Sequence, residues 1–336
     1  MIFVGERNSM NDKIKLDGII EIHITSICNL NCKNCNRFSN YKFKGFERWE
    51  DYKEIYTEWA NKVDFKKLTL IGGEPMLNPT FIDWFKGVKE LWPDAIIEVC
   101  TNGTRLDKVP GFYDEVLKHK DKTIIEVNIH HKNVFEYTTE VIKNFLQGAL
   151  STEHDPQELI NVYDTIKGKD WPDSIRNSDD LNVDIKKEIY ETFDDKLLLQ
   201  PTRYTDSNGV VIDVKYSTFF NSVAVKNNNN KNLSLCNSDP KQAHDVCFSK
   251  RCHTFYKGIF YKCPVTALLG EFIDQHTFEL SNSDRHLINN PDRLDCNASI
   301  EQIQEFWENI EYGEEVAQCK FCPANLESAS TEAVFK

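Results

Sequence analysis

The stretch Ile19-Ile20-Glu21-Ile22-His23-Ile24-Thr25-Ser26-Ile27-Cys28-Asn29-Leu30-Asn31-Cys32-Lys33-Asn34-Cys35 decides the fold. From Ile20 to Thr25 apolar and polar residues alternate, the period of a strand with one face buried. The cysteines follow at once, so their loop leaves the C-terminal end of a strand, where parallel α/β folds gather ligands. Three thiolates in the spacing C-x3-C-x2-C supply three of the four ligands of a 4Fe-4S cubane and leave one iron open to chemistry. Ferredoxin runs of C-x2-C-x2-C-x3-C fill every position with cysteine and only pass electrons. Taken alone, the triplet also suits a zinc site.

Working outward, strand and helix alternate over residues 19–130 in the βαβ manner of a parallel sheet. Trp49, Tyr52, Ile55, Tyr56, Trp59 and Val63 recur at helical spacing, and Lys67-Leu68-Thr69-Leu70-Ile71 is a strand that ends in Gly72-Gly73-Glu74-Pro75. Asn78-Pro79 predicts the start of a helix, with Asn as N-cap and Pro in the first helical position. Strand Ile96–Cys100 ends in Thr101-Asn102-Gly103-Thr104, and strand Thr123–His130 presents Glu126, Asn128 and His130 on one face. Residues 133–196 exceed a single crossover and predict extra helices, around Val141 to Leu146 and Leu159 to Tyr163, as a lid or substrate-facing insertion. Strand-like runs return at 197–200 and 222–225. The polar tract Asn227 to Asn230 predicts an exposed loop or linker, and beyond it cysteines become dense. No internal repeat is present.

Composition narrows the class. The 336 residues suffice for one large and one smaller domain. No apolar run nears the roughly 18 to 20 residues of a membrane span, and the N-terminus lacks a signal-peptide core, so the cytoplasm is expected. Eleven cysteines, clustered and odd in number, argue for metal thiolates over disulfides. A net charge of -13, with no basic stripe, disfavours a nucleic-acid partner.

Three ordered strand ends, with C-x3-C-x2-C first, Gly-Gly-Glu-Pro second and Thr-Asn-Gly third, resemble the radical S-adenosylmethionine superfamily. The resemblance covers residues 19–130 well and implies a partial (β/α)6 TIM-like barrel extending to about 225. It implies that Cys28, Cys32 and Cys35 hold a 4Fe-4S cluster whose open iron is chelated by S-adenosylmethionine. Gly72, Gly73, Glu74 and Pro75 would receive the cofactor's ammonium group, glycine allowing the backbone a close approach. Thr101, Asn102, Asn128 and His130 are further candidate contacts. Asn34 departs from the pattern, because the family often has an aromatic residue there, against the adenine. A one-electron donor of flavodoxin or ferredoxin type is implied as partner.

A second cysteine group comprises Cys247, Cys252, Cys263, Cys319 and Cys322, with Gly258 suited to a hairpin turn between Cys252 and Cys263. It looks like the SPASM or Twitch auxiliary-cluster region, and the lack of cysteines after Cys322 favours one auxiliary 4Fe-4S cluster over two. Five thiolates compete for about four positions, and a four-cysteine zinc ribbon is the other reading. Cys100, Cys236 and Cys296 lack partners at ligand spacing and read as small buried side chains, and His253 as structural.

The expected organisation is an N-terminal extension (1–18), a barrel (19–230, with the 133–196 insertion) and a cysteine-rich auxiliary domain (231–336). The expected function is reductive cleavage of S-adenosylmethionine and hydrogen abstraction from a peptide or small-molecule substrate. A non-catalytic electron-transfer or metal-binding module is the alternative.

Overall fold

The computed structural model describes residues 13–32, 35–129, 134–148, 150–152, 202–216, 219–220, 226–228, 232–247, 249–312, 315–324 and 329–330. Strand β1 (Ile14–Leu16) pairs in parallel with β3 (Val63–Phe65) at the edge of the molecule. The main sheet begins with β2 (Ile19–Thr25), β4 (Lys67–Gly72), β5 (Ile96–Thr101) and β6 (Thr123–Ile129), each parallel to the next. Helices α1 (Trp49–Ala60), α2 (Phe81–Leu91) and α3 (Phe112–Lys118) form the crossovers. This is the α/β partial barrel that the alternation predicts.

The fifth parallel strand is β9 (Val211–Tyr216), beside β6. The antiparallel strands β8 (Thr202–Asp206) and β7 (Leu150–Thr152) follow it outward. Sequence patterning misses β9, because Val211-Ile212-Asp213-Val214-Lys215-Tyr216 lies between the two runs, 197–200 and 222–225, that read as strands and that fall outside the described residues. Helix α4 (Phe135–Phe145) buries Val141, Ile142 and Phe145 against the core. It is the first of the helices expected in 133–196; the second helical pattern, at 159–163, lies outside the described residues.

On the other side of β2 the sheet continues with a strand from far along the chain. After β10 (Phe219–Phe220), β11 (Lys226–Asn228) and β12 (Asn232–Ser234), β13 (Cys252–Tyr256) pairs in parallel with β2, placing Thr254 beside Glu21 and Tyr256 beside His23. A two-residue turn, Lys257 at φ 53 and Gly258 at φ 72, returns the chain antiparallel as β14 (Ile259–Tyr261). Two left-handed residues make the turn whose twist matches a hairpin. β15 (Arg293–Leu294) closes that edge, and β16 (Ala329–Ser330) pairs with β10. Asn227 and Asn228 pair with β12, so this part of the polar tract belongs to a small hairpin.

Alternation along the strands sorts the two faces. Ile20, Ile22, Ile24, Leu68, Leu70, Ile97, Val99, Ile125 and Val127 are fully buried under the helices, together with Trp59, Phe85 and Phe112. Each such side chain is worth about 1.5–3 kcal/mol. The opposite, inner face carries Glu21, His23, Thr69, Glu98, Cys100, Glu126 and Asn128.

The C-terminal region adds α5 (Pro240–Asp245), α6 (Pro264–Asp274), α7 (Asn282–Asn289) and α8 (Ile300–Tyr312). A satellite core forms around α6 from Leu268, Phe272, Ile273, Ile288 and Phe321, and it includes Phe38 and Phe43 from just after the first cysteines. Among the described residues no helix is long and apolar enough to cross a membrane.

Candidate metal centres

The loop of Cys28, Cys32 and Cys35 is held at its neck by the Gly-Gly-Glu turn. Gly73 N donates to Thr25 O at 2.7 Å and Glu74 N to Ile27 O at 2.8 Å. A Cβ on Gly72 would meet Thr25 O at 2.3 Å, and one on Gly73 would meet Ile27 O at 2.4 Å and Ser39 Oγ at 2.6 Å. Both glycines are therefore required so that one strand end can press against the next. Ser39 Oγ also donates to Ser26 O, tying the far side of the loop to its start.

Glu74 is wholly enclosed. Its carboxylate accepts Thr101 Oγ1 at 2.7 Å, Asn102 N at 2.8 Å and Met76 N at 3.2 Å. Burial pushes its pKa up to about 7, against the downward pull of those three bonds and of Arg105. Pro75 is buried at the start of the single 3-10 turn Pro75–Leu77. The Thr-Asn-Gly end of β5 is fixed by Glu74 and acts in turn on the cysteine loop. Asn102 Nδ2 donates to Asn29 Oδ1 at 3.0 Å and lies 3.7 Å from Cys28 Sγ, while Asn29 Nδ2 donates to Thr104 Oγ1 at 2.8 Å. Leu30 N also approaches Cys28 Sγ, at 3.4 Å. N–H groups directed at a sulfur suit a thiolate that binds metal.

Asn78 does not cap a helix starting at Pro79. Helix α2 starts at Phe81, with Thr80 as its N-cap. Asn78 instead donates to Ile24 O and Glu47 O at 2.7 and 2.8 Å and accepts Thr80 N. A buried amide that joins three segments outweighs the local capping preference. Asn128 is buried on the inner face, donating to Glu126 Oε1 at 3.0 Å and to Cys100 Sγ at 3.2 Å. Asn34 and His130 lie outside the described residues.

Beyond Cys35 the chain wedges into the satellite core. Phe38, at φ 59, stacks on Phe272 with ring centroids 4.4 Å apart and planes 10° apart. His276 Nε2 lies 2.7 Å from Tyr41 O, and Gln275 bonds both the N–H and the carbonyl of Lys44 at 3.1 Å. All three partners belong to α6 or its end, and the helix begins at Cys263, its N-cap. One helix thus links the two cysteine groups.

The second group is assembled from distant segments. Cys263 sits centrally: its charge raises the pKa of Cys247, Cys319 and Cys322, in each case after burial, and Cys247 is pushed up to about 11. For Cys252, raised to about 12, burial comes first and Glu21 next, with Arg37 opposing and the cysteines contributing less. Alternation along β13 puts Cys252 on the inner face with Thr254, which bonds Glu21. Cys236, read from sequence as a lone side chain, acts on Cys322; Ser238 N bonds Lys320 O at 2.9 Å and brings that segment alongside. Only this long-range pairing reveals it. His253 is structural, enclosed between Lys262 O and Glu311 Oε2 at 2.8 Å each.

Among the described residues no three cysteine, histidine or acidic side chains converge at metal-binding distance. All of these cysteines are free thiols, half-buried except for buried Cys32, and Cys28 has the N–H contacts that a thiolate ligand needs. The Cys28 sulfur, with the N–H groups of Leu30 and Asn102 directed at it, fits an iron–sulfur ligand.

The radical SAM superfamily model matches residues 22–195, just over half of the chain. Among solved structures, the chain is similar to Streptococcus suis SuiB at 12% identity, covering 82% of this chain and 65% of that one, with a TM-score of 0.37. Native anSMEcpe with bound AdoMet and Cp18Cys peptide matches at 13% identity over 90% and 68%, with a TM-score of 0.34. A histidine-tagged form of anSMEcpe with bound AdoMet matches at 19% over 39% of this chain, which spans 40% of that chain's length, with a TM-score of 0.31. The family match, not these partial superpositions, carries weight.

Proposed function

The chain belongs to the radical S-adenosylmethionine superfamily, and on that premise we propose that this enzyme cleaves S-adenosylmethionine at Cys28, Cys32 and Cys35 and abstracts hydrogen from a peptide or small-molecule substrate. When bound through these three thiolates, a 4Fe-4S cluster would supply the electron for reductive cleavage of the S-adenosylmethionine sulfonium, the chemistry that permits hydrogen abstraction from a substrate carbon. The protein's own residues position and enclose. The carbonyls of Gly72 and Gly73 accept the cofactor's ammonium group. Glu74 and Thr101 act through the turn they brace, Pro75 stiffens it, and Asn102 orients the loop through Asn29. Asn34, Asn128 and His130 contact the nucleoside or methionyl portions.

Cys247, Cys263, Cys319 and Cys322 would hold a second 4Fe-4S cluster, which would supply a one-electron acceptor and so a net oxidation of the substrate. What supports this choice is placement: Cys263 and Cys322 pack on the same satellite core, whereas Cys252 shares the inner face of β13 with Thr254, which bonds Glu21. The electron donor is a flavodoxin or ferredoxin, and the cytoplasm is the compartment that keeps such thiols reduced.

Anaerobic reconstitution followed by addition of S-adenosylmethionine and dithionite tests the proposal. Expected are about eight irons per chain, for two cubane clusters, and 5′-deoxyadenosine in the quench. A chain fully loaded with iron that forms none is not such an enzyme, and about four irons with one zinc would replace the second cluster by a zinc ribbon.

A further inference from the structure

Four ion pairs cross the inner face of the sheet: Glu21 with Arg37, Glu98 with Lys67, Glu126 with Lys215, and Asp213 with Arg203. Along that row the cation side chains rise in exposure from 5% at Arg37 through 33% and 43% to 47% at Arg203, while the carboxylates stay between 10% and 16%. Formal charge along the row is zero, but its exposed charge is cationic. An anion approaching from the β9 side meets ammonium and guanidinium heads, with the carboxylates behind them.

Arg37 forms the closed end of the row and is bonded unlike the other three cations. Nη2 donates to Glu21 Oε2 at 2.6 Å, whereas Nε and Nη1, both buried, have no hydrogen-bond partner. Glu21 meets Arg37 through Nη2 alone, its Oε2 also accepting Thr254 Oγ1 at 3.2 Å. Beside Arg37, His23 is 1% exposed, with Nε2 3.1 Å from Ser26 Oγ and Nδ1 likewise without a partner. Burial, followed by the Arg37 charge, keeps this ring neutral. A neutral ring that accepts the Ser26 hydroxyl at Nε2 carries its proton on Nδ1 and offers another unused donor. A buried cation with unmet donors is costly unless an acceptor completes it. The backbone is strained to set it there: the next residue, Phe38, is left-handed without being glycine and is locked by its stack on Phe272.

We propose that Arg37 is the receptor for a carboxylate of the substrate, held on the inner face of the sheet beside Glu21 with His23 as a further donor. A carboxylate brings two oxygens with about four acceptor positions, enough for Nε, Nη1 and the ring, and charge-assisted bonds to guanidinium are about twice as strong as neutral ones. A carbonyl has a single oxygen and no charge. This inference rests on the enzyme reading above and narrows its substrate class to acid-bearing molecules. The methionyl carboxylate of S-adenosylmethionine has the same chemistry and is the rival source.

The test uses reconstituted enzyme with N-acetylglycine and its amide, N-acetylglycinamide, at fixed ionic strength, followed by calorimetry and by the thermal unfolding midpoint. The acid is expected to bind and raise the midpoint and the amide to do neither; Arg37→Gln should weaken the acid at least tenfold. Glu21→Gln removes the competing carboxylate and should tighten the acid severalfold, which keeps the test decisive if Arg37→Gln fails to fold. Equal binding of acid and amide overturns the proposal, as does acid binding indifferent to both substitutions. Dialysis with labelled S-adenosylmethionine separates the sources. Acid that displaces the cofactor, together with a tenfold loss of cofactor affinity in Arg37→Gln, would overturn the substrate assignment in favour of the methionyl carboxylate. Wild-type enzyme that makes 5′-deoxyadenosine but does not distinguish acid from amide loses this inference and keeps the enzyme reading.

Discussion

The two cysteine groups are built in opposite ways. The first lies within eight residues, and its surroundings are local strand ends: Gly72, Gly73 and Glu74 close its neck, and Asn102 and Thr104 brace its side. The second draws on positions from 236 to 322 and exists only once α6, the β13–β14 hairpin and the C-terminal turn have packed. Local construction makes the first site sensitive to single backbone contacts, and distributed construction makes the second depend on the satellite core. The two meet at Phe38 and Phe272.

Substitutions can break that contrast. The largest effect is expected from Gly73→Ala, whose Cβ would lie 2.4 Å from Ile27 O. Backbone cannot yield there cheaply, so iron counts and Mössbauer spectra should show the first cluster lost and the second kept. Equal loss of both would mean that the sites are one folding unit. Cys319→Ala should do the reverse, removing about four irons while some 5′-deoxyadenosine is still formed. Phe272→Ala belongs to both regions; emptying a buried aromatic position costs about 3–5 kcal/mol. Chemical denaturation should register that loss, and both clusters should load less well. Loss confined to the second would remove the proposed link through Phe38.

Glu74 gives a smaller, pH-dependent effect. Its folded-state pKa of about 7 lies above the ordinary 4.5, so the folded chain holds this proton more tightly than the unfolded one. Stability from this group is therefore full below about pH 4.5 and falls as pH climbs toward 7, by about 3 kcal/mol at most. Glu74→Gln should flatten that part of the stability curve, and an unchanged slope would show that the carboxylate titrates normally. Least of all should change in Cys252→Ala, which is expected to retain the iron content of both sites.

How much could be read in advance follows the same contrast. The strands β2, β4, β5 and β6, the crossover helices and the cysteine triplet are legible because periodicity and spacing are local properties. Glu74 is legible as a motif residue, but its bonds to Thr101 and Asn102 are not, because they depend on how one strand end meets the next. Strand β13 beside β2 and Cys236 beside Cys322 could not be seen at all: each joins segments far apart in sequence, and no local pattern records the partner. Arg37 belongs to the same class. Its two unmet donors, and the stack of the next residue, Phe38, on Phe272, are set by packing between distant segments.

The open iron at Cys28, Cys32 and Cys35 is tested most directly by electron–nuclear double resonance on the reduced, reconstituted enzyme frozen with S-adenosylmethionine labelled with 15N in its amino group and 17O in its carboxylate. Both labels are expected to couple to the cluster in the wild type, and both couplings to vanish in Cys32→Ala. A fully reduced first cluster with neither coupling would contradict the assignment of the cofactor to that iron.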